Sequence, residues 1–144
     1  MNKLFNQHLF KQVIIGTKSQ SRRALFRNLN LKFKYRAANI DEKKVKKLQN
    51  NKYDAIKIAT EKARHLSSIN KGKIIVTFDT TILFNKKTIY KCETQGCCLE
   101  LLNSFTNRKH YLYTGMVFMI DNKIIQKKLS ETRVMLNDHG KSVI

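Results

Sequence analysis

Residues 12–26 read QVIIGTKSQSRRALF. Three consecutive apolar residues, Val13-Ile14-Ile15, stop at Gly16. Hydroxyl and cationic side chains then dominate from Thr17 to Arg23, and apolar residues resume at Ala24-Leu25-Phe26. A short apolar run bounded by glycine suits a buried strand, and the segment after it suits a turn opening a helix. The expected elements are a strand at Gln12–Thr17 and a helix from about Arg22 to Leu29. A buried strand feeding a helix commits the chain to an architecture in which helices cover a sheet.

The later segments agree. A second strand is expected at Lys32–Ala38, where Phe33 and Tyr35 alternate with Lys34 and Arg36. The polar stretch NIDEKKVKKLQNNKYD reads as a long loop or a solvated helix. A helix follows at about Tyr53 to Ser68, with Ala55, Ile58, Ala59, Lys62, Ala63 and Leu66 near one face. A buried strand, Lys73–Phe78, is expected to end at Asp79. Thr81–Phe84 and Thr88–Tyr90 flank Asn85-Lys86-Lys87 as a hairpin. Helix Gln95–Phe105 and strands Tyr111–Ile120 and Lys123–Val134 complete the series, with a turn at Asp121-Asn122. Helices and strands alternate first and an antiparallel meander comes last, so the expected class is a single α/β domain with a mixed sheet.

A chain of 144 residues, 42% of them hydrophobic, can bury a core as one domain. Its 29 Lys and Arg against 10 Asp and Glu give a net charge of +19. Such an excess points to a polyanionic partner, such as nucleotide phosphates or nucleic acid. Cations extend through every segment instead of clustering, however, and Pro and Trp are absent. Compositional bias therefore explains the charge better than a dedicated nucleic-acid surface. The longest apolar runs, such as Met116–Ile120, are too short to cross a bilayer. The start MNKLFNQHLFKQ lacks a signal-peptide pattern. Three cysteines, two of them adjacent, suit a reducing compartment, so a cytoplasmic protein without membrane contact is expected.

The turn after Gly16 builds an anion site. The first N–H groups of a helix are unpaired and carry the positive end of its dipole. Thr17 and Ser19 can add hydroxyl donors, and Arg22 and Arg23 can grip phosphate oxygens. The plainer reading is that Ser19 or Ser21 caps the helix. Asp79, at the expected end of an apolar strand, lies where open α/β sheets place ligands. Asp41-Glu42 follows the second strand. Carboxylates near a phosphate site can hold Mg²⁺ or Mn²⁺ or activate water; as plainer alternatives, Asp79 caps a turn and Asp41-Glu42 is a solvated pair. Lys62 either lays its stem over the core or points its ammonium into a cleft, and Lys91 follows the hairpin strand. Cys92, Cys97, Cys98 and His110 contain zinc-ligand types, but adjacent cysteines on a helix point about 100° apart, which favours packing thiols. Phe33, Tyr35, Tyr111 and Tyr113 alternate with cations as a nucleic-acid platform does, and equally as a half-buried strand does.

In order along the chain, TKSQSRRALF, NIDE, ATEKA, FDT, IYK and NRKHYLYTG resemble the Maf (septum-formation) family of nucleoside-triphosphate pyrophosphatases. The likeness spans about residues 12 to 135, leaving residues 1–11 as an N-terminal extension. It implies a Maf/inosine-triphosphatase-like fold and metal-dependent cleavage between the α and β phosphates, releasing a nucleoside monophosphate and pyrophosphate. Carried over motif by motif, Ser19 and Arg22 would bind phosphates, with Thr17 in the place of the family's first serine and Arg23 beside them. Glu42 would help hold the metal. Lys62 and Lys91 would neutralise the triphosphate, and Asp79 would be general base or metal ligand.

The chain departs from the family pattern at Gln20, Ser21, Cys92, Thr94 and Asn107. It also ends at Ile144, before the Asp-Lys-Ala-Gly segment that family members carry. The expectation is a C-terminally shortened member whose exposed sheet edge could pair with a second copy as a homodimer. A nucleoside triphosphate is the expected partner. The alternatives are a truncated, inactive relative and a basic protein binding nucleic acid non-specifically.

Overall fold

The computed structural model describes residues 12–29, 33–45, 48–89, 92 and 94–137. The extension expected at residues 1–11 and the candidate Lys91 lie outside them. Strand β1 (Val13–Gly16) leads to helix α1 (Gln20–Asn28), strand β2 (Lys34–Tyr35) and a 3-10 turn (Glu42–Lys44). Then come α2 (Asp54–Ser68), β3 (Ile74–Phe84), β4 (Lys87–Ile89), α3 (Gln95–Phe105), β5 (Lys109–Ile120) and β6 (Lys123–Met135). The sheet order is β2-β1-β3-β5-β6, with β4 paired to β3. β1 runs parallel to β2 and β3, whereas β4, β5 and β6 join antiparallel. The mixed α/β sheet is the class expected from the sequence.

The apolar run that opens the chain is buried on both sides. Ile14 joins Ala59, Ala63 and Leu66 of α2 with Ile75, Val117 and Met119. Val13 and Ile15 join Val76 on the opposite face, where Phe26 of α1, Phe33 and Phe78 pack. A strand covered by helices on both faces needs continuous rather than alternating apolar residues, and VII supplies them. α2 lies close to the sheet because the residues it presents include Ala55, Ala59 and Ala63, all fully buried. At Gly115 of β5 the approach is backbone to backbone: a Cβ there would meet Ile56 N at 2.6 Å and Ala55 C at 2.7 Å.

Several expected boundaries differ. α1 starts at Gln20 because Ser19 is its cap, the Oγ accepting from Arg22 N at 3.3 Å. β2 is a two-residue strand, not the full Lys32–Ala38 span. β3 does not end at Asp79; it runs through to Phe84 because β5 pairs with it from Ile75 to Leu83. The polar triplet Asp79-Thr80-Thr81 does not interrupt a ladder made by backbone groups. Both two-residue turns have the left-handed backbone of a tight hairpin, with φ of 48° and 60° at Asn85-Lys86 and 45° and 62° at Asp121-Asn122.

The end of the polar stretch before α2, residues 48–53, is tied down by a carboxylate. Asp54, fully buried at the start of α2, accepts hydrogen bonds from Gln49 N (3.0 Å), Asn51 N (3.3 Å) and Thr88 Oγ1 (3.1 Å). One side chain thereby joins the loop, α2 and β4. Among the described residues, no helix is long and apolar enough to cross a membrane.

The backbone contact at Gly115 gives a test. Gly115→Ala must push α2 off β5, and the expected loss is about 2 kcal/mol or more, read as a lower denaturation midpoint with an unchanged slope. An alanine variant as stable as the wild type would contradict the close approach.

Candidate functional site

The site begins where the sheet is incomplete. On one side of β3, pairing with β1 stops at Gly16↔Thr77 and pairing with β4 starts only at Ile82↔Ile89. Among the described residues, Phe78 to Thr81 therefore have no strand neighbour on that side, while β5 holds the other. A cavity of about 1110 Å³ opens there, lined from both faces of the sheet. The turn after β1 contributes Thr17, Ser19 and Arg22; α2 contributes Ile58 and Lys62; β3 contributes Asp79, Thr80 and Thr81.

Lys62 follows Ile58 by one helical turn, so its stem leaves α2 on the buried face. Its ammonium reaches the cavity and lies 2.6 Å from both Asp79 Oδ1 and Glu42 Oε1. The two inner side chains are nearly closed off, at 14% exposure for Lys62 and 9% for Asp79, whereas Glu42 on its 3-10 turn is 42% exposed. Two carboxylates thus converge on one cation. Burial pushes the Asp79 carboxyl above the usual carboxylate range; Lys62 opposes this by charge and hydrogen bonding, and Glu42 adds to the rise.

The opposite rim is cationic and hydroxyl-rich. Arg22 Nη2 donates to Thr80 Oγ1 at 2.7 Å, and its guanidinium lies 5.7 Å from the Phe78 ring centre. Thr80 Oγ1 is in turn 2.9 Å from Thr114 Oγ1. Thr17 Oγ1 accepts from Ser19 N at 3.1 Å, which shapes the turn. The plainer reading of Ser19 as a helix cap is what the structure shows, and the residue also lines the cavity. Gly16 serves packing rather than flexibility, since a Cβ there would lie 2.6 Å from Leu66 Cδ1 and Thr77 Cγ2.

Arg23 corrects the sequence reading. It is absent from the cavity lining; its Nε and Nη2 donate to Thr17 O at 3.3 and 3.1 Å, and its guanidinium covers Tyr35 at 5.3 Å. Adjacent helical residues point about 100° apart, and Arg23 turns back to hold the carbonyl of the turn that precedes Arg22. Asp79 also stands elsewhere than expected: mid-strand, just past the end of β1, and not at a strand terminus.

The far end of the cavity is apolar, with Ile82, Ile89, Leu101, Leu102, Phe105 and Leu112. Behind it, His110 stacks on Phe105 at 4.1 Å, and Phe105 meets Phe84 edge-on at 5.0 Å. Cys92 and Cys98 also line the wall. Hydrogen bonding to Cys97 above all, then burial, pushes the Cys92 thiol up to about 12. Among the described residues no three His, Cys, Asp or Glu side chains converge as metal ligands. The sequence reading missed Thr80, Thr81 and the apolar wall. The signal for the threonines was the polar break in KIIVTFDTTILF; the wall has no local signal, because α3, β4 and β5 build it together.

A family model described as Maf-like protein matches residues 12–144. A protein of Nitrobacter hamburgensis named nucleoside triphosphate pyrophosphatase is 25% identical over 137 residues, covering 93% of this chain and 68% of that one. A dTTP/UTP pyrophosphatase of Pyrococcus horikoshii is 26% identical, with 92% and 69% covered. A 7-methyl-GTP pyrophosphatase of Brucella suis is 24% identical, with 88% and 66% covered. The chain therefore spans about two thirds of the length of these relatives. A solved HAM1 protein from Coxiella burnetii superposes with a TM-score of 0.49 at 15% identity, covering 84% of this chain and 69% of that one.

The burial of Asp79 has a thermodynamic signature. Its carboxyl is raised in the fold, so its stabilising contribution is complete below the unfolded carboxylate range and is lost as pH rises through the folded value. Asp79→Asn holds the neutral form at every pH. In metal-free buffer its melting temperature relative to wild type should therefore rise as the pH increases from about pH 4. A relative melting temperature that falls instead would mean the Lys62 ion pair outweighs burial.

Proposed function

This chain belongs to the Maf-like protein family, and from that premise we propose that it is a nucleoside-triphosphate pyrophosphatase. The reaction is hydrolysis of the bond between the α and β phosphates, giving a nucleoside monophosphate and pyrophosphate. The observation that carries this reading is the Lys62 ammonium clasped by Asp79 and Glu42 at 2.6 Å, in one cavity with Arg22 and the start of α1. The names of relatives from Nitrobacter, Pyrococcus and Brucella support the same reaction class.

Phosphoryl transfer chiefly requires positioning and charge neutralisation. Arg22, held by Thr80, grips the outer phosphates together with the first N–H groups of α1 and the Thr17 and Ser19 hydroxyls. Lys62 neutralises charge at the scissile bond. Asp79 takes a proton from the water that attacks the α phosphorus, and the bond to the bridging oxygen breaks, releasing pyrophosphate. A carboxylate whose basicity burial has raised suits that role better than a solvated one.

Glu42 and Asp79 fit a hard divalent cation such as Mg²⁺ or Mn²⁺. Their oxygens share one neighbour at 2.6 Å, so they are no further apart than twice that distance. Such ions commonly take one or two carboxylates and complete their shell with phosphate oxygens and water. Bound there, the ion would supply further charge neutralisation on the phosphates.

Pyrophosphate release from a panel of nucleoside triphosphates, with Mg²⁺ or Mn²⁺ and with a chelator, tests the reading. Asp79→Asn should lower kcat by about 10² to 10⁴. Lys62→Ala should cost about 10² to 10³, and Arg22→Ala should act mainly on KM. A folded wild-type chain that neither binds nor cleaves any nucleotide would refute it.

A further inference from the structure

Thr81 carries a hydroxyl that the fold does not use. The residue is 5% exposed and lines the cavity, yet its Oγ1 finds no hydrogen-bond partner among the described residues. Neighbouring threonines differ. Thr77 donates to Ala59 O at 2.6 Å, Thr80 accepts from Arg22, and Thr88 donates to Asp54. A buried hydroxyl without a partner destabilises the fold, and valine has the same shape without that penalty. Among the described residues none supplies the missing partner, and a group that enters the cavity can.

Its position says which group. Side chains alternate along a strand, so Thr81 shares a face of β3 with Asp79 and lies about 7 Å beyond it, away from Gly16 and toward the apolar end. Pairing with Tyr113 of β5 fixes its place, and the adjacent Ile82 begins the β4 ladder. Resting on the pyrophosphatase reading, with the reacting phosphate beside Asp79 and Lys62, the next part of the substrate along β3 is the nucleoside. We propose that the Thr81 hydroxyl is a specificity contact that hydrogen-bonds the nucleoside part of the substrate, a sugar hydroxyl or a polar edge of the base. It thereby separates nucleotides from inorganic polyphosphates of equal charge.

Binding to the full chain tests this, with non-hydrolysable α,β-methylene nucleoside triphosphates and inorganic tripolyphosphate as probes. The wild type should bind the nucleotides more tightly. Thr81→Val should weaken them about tenfold, the worth of one buried hydrogen bond, and leave tripolyphosphate within about twofold. Thr81→Ser should keep the discrimination. Melting temperature gives an independent readout, because Thr81→Val removes an orphaned hydroxyl and should melt at or above the wild-type temperature. A 3′-deoxy and a 2′,3′-dideoxy probe divide sugar from base: if a sugar hydroxyl is the partner, the probe lacking it is insensitive to the substitution. Equal weakening of nucleotide and tripolyphosphate, unchanged nucleotide binding, or a lower melting temperature each overturns the assignment while the pyrophosphatase reading stands. A wild type that binds no nucleotide overturns both.

Discussion

A sheet strand with two full-length neighbours is sealed; β3 has only one. β5 follows it from Ile75 to Leu83, so its backbone stays regular. On the other side β1 is only four residues long and β4 pairs only from Ile82 on, leaving Phe78 to Thr81 open among the described residues. Everything functional follows from that gap. It lets Arg22, from the α1 face, and Lys62, from the α2 face, reach one cavity. It also sets an ionisable residue in the middle of a rigid strand rather than on a loop, where positional precision is harder to hold. The shortness of β1 is therefore as much a part of the site as the charged residues.

The gap would collapse without supports on both rims. Asp54 holds the entry loop and β4 against the start of α2 with hydrogen bonds from backbone and side chain. Arg23 fastens the turn after β1 through the Thr17 carbonyl, and Gly115 lets α2 settle on the sheet. Removing one partner of a buried ion pair is far costlier than the pair's net worth suggests. The Lys62 clasp is accordingly better understood as mutual neutralisation than as a source of stability. On the proposed function, two acids and one ammonium that hold one another become acceptors and a donor when a polyphosphate enters.

Much of this was legible in the sequence, for identifiable reasons. VII before Gly16, the alanine-rich face of α2 and the Asp121-Asn122 turn are local signals, and each element stands within a residue or two of its expected place. Asp79 is legible from its place after an apolar run and Glu42 as one of a scarce acidic pair, whereas Lys62 stands out only in the ordered series of motifs; nothing local shows that one ammonium touches both carboxylates. What failed were readings needing knowledge of neighbours. The end of β3 was placed at Asp79 because polarity was taken as a stop, whereas β5 decides where the ladder ends. Arg23 stands beside Arg22 in sequence, but the two side chains leave the helix about 100° apart and take different partners. The apolar wall was invisible because three separate elements make it.

The net charge of +19 bears on the site through what the acids do. Asp79 and Glu42 are engaged by Lys62, and Asp41 and Glu61 pair with Lys44 and Arg64 within their own turns. Asp121 accepts from Gly72 N, and Asp54 is consumed by the fold. Acids spent locally leave the excess cations uncompensated, and a positive field spread over the surface raises the local concentration of any polyanion. Compositional bias and triphosphate binding are thus not rival explanations of the charge. The bias supplies a general attraction that does not discriminate among anions. On the proposed function, choosing among them falls to the few groups with fixed geometry: one arginine held by a threonine, one ammonium between two carboxylates, and the buried hydroxyl of Thr81.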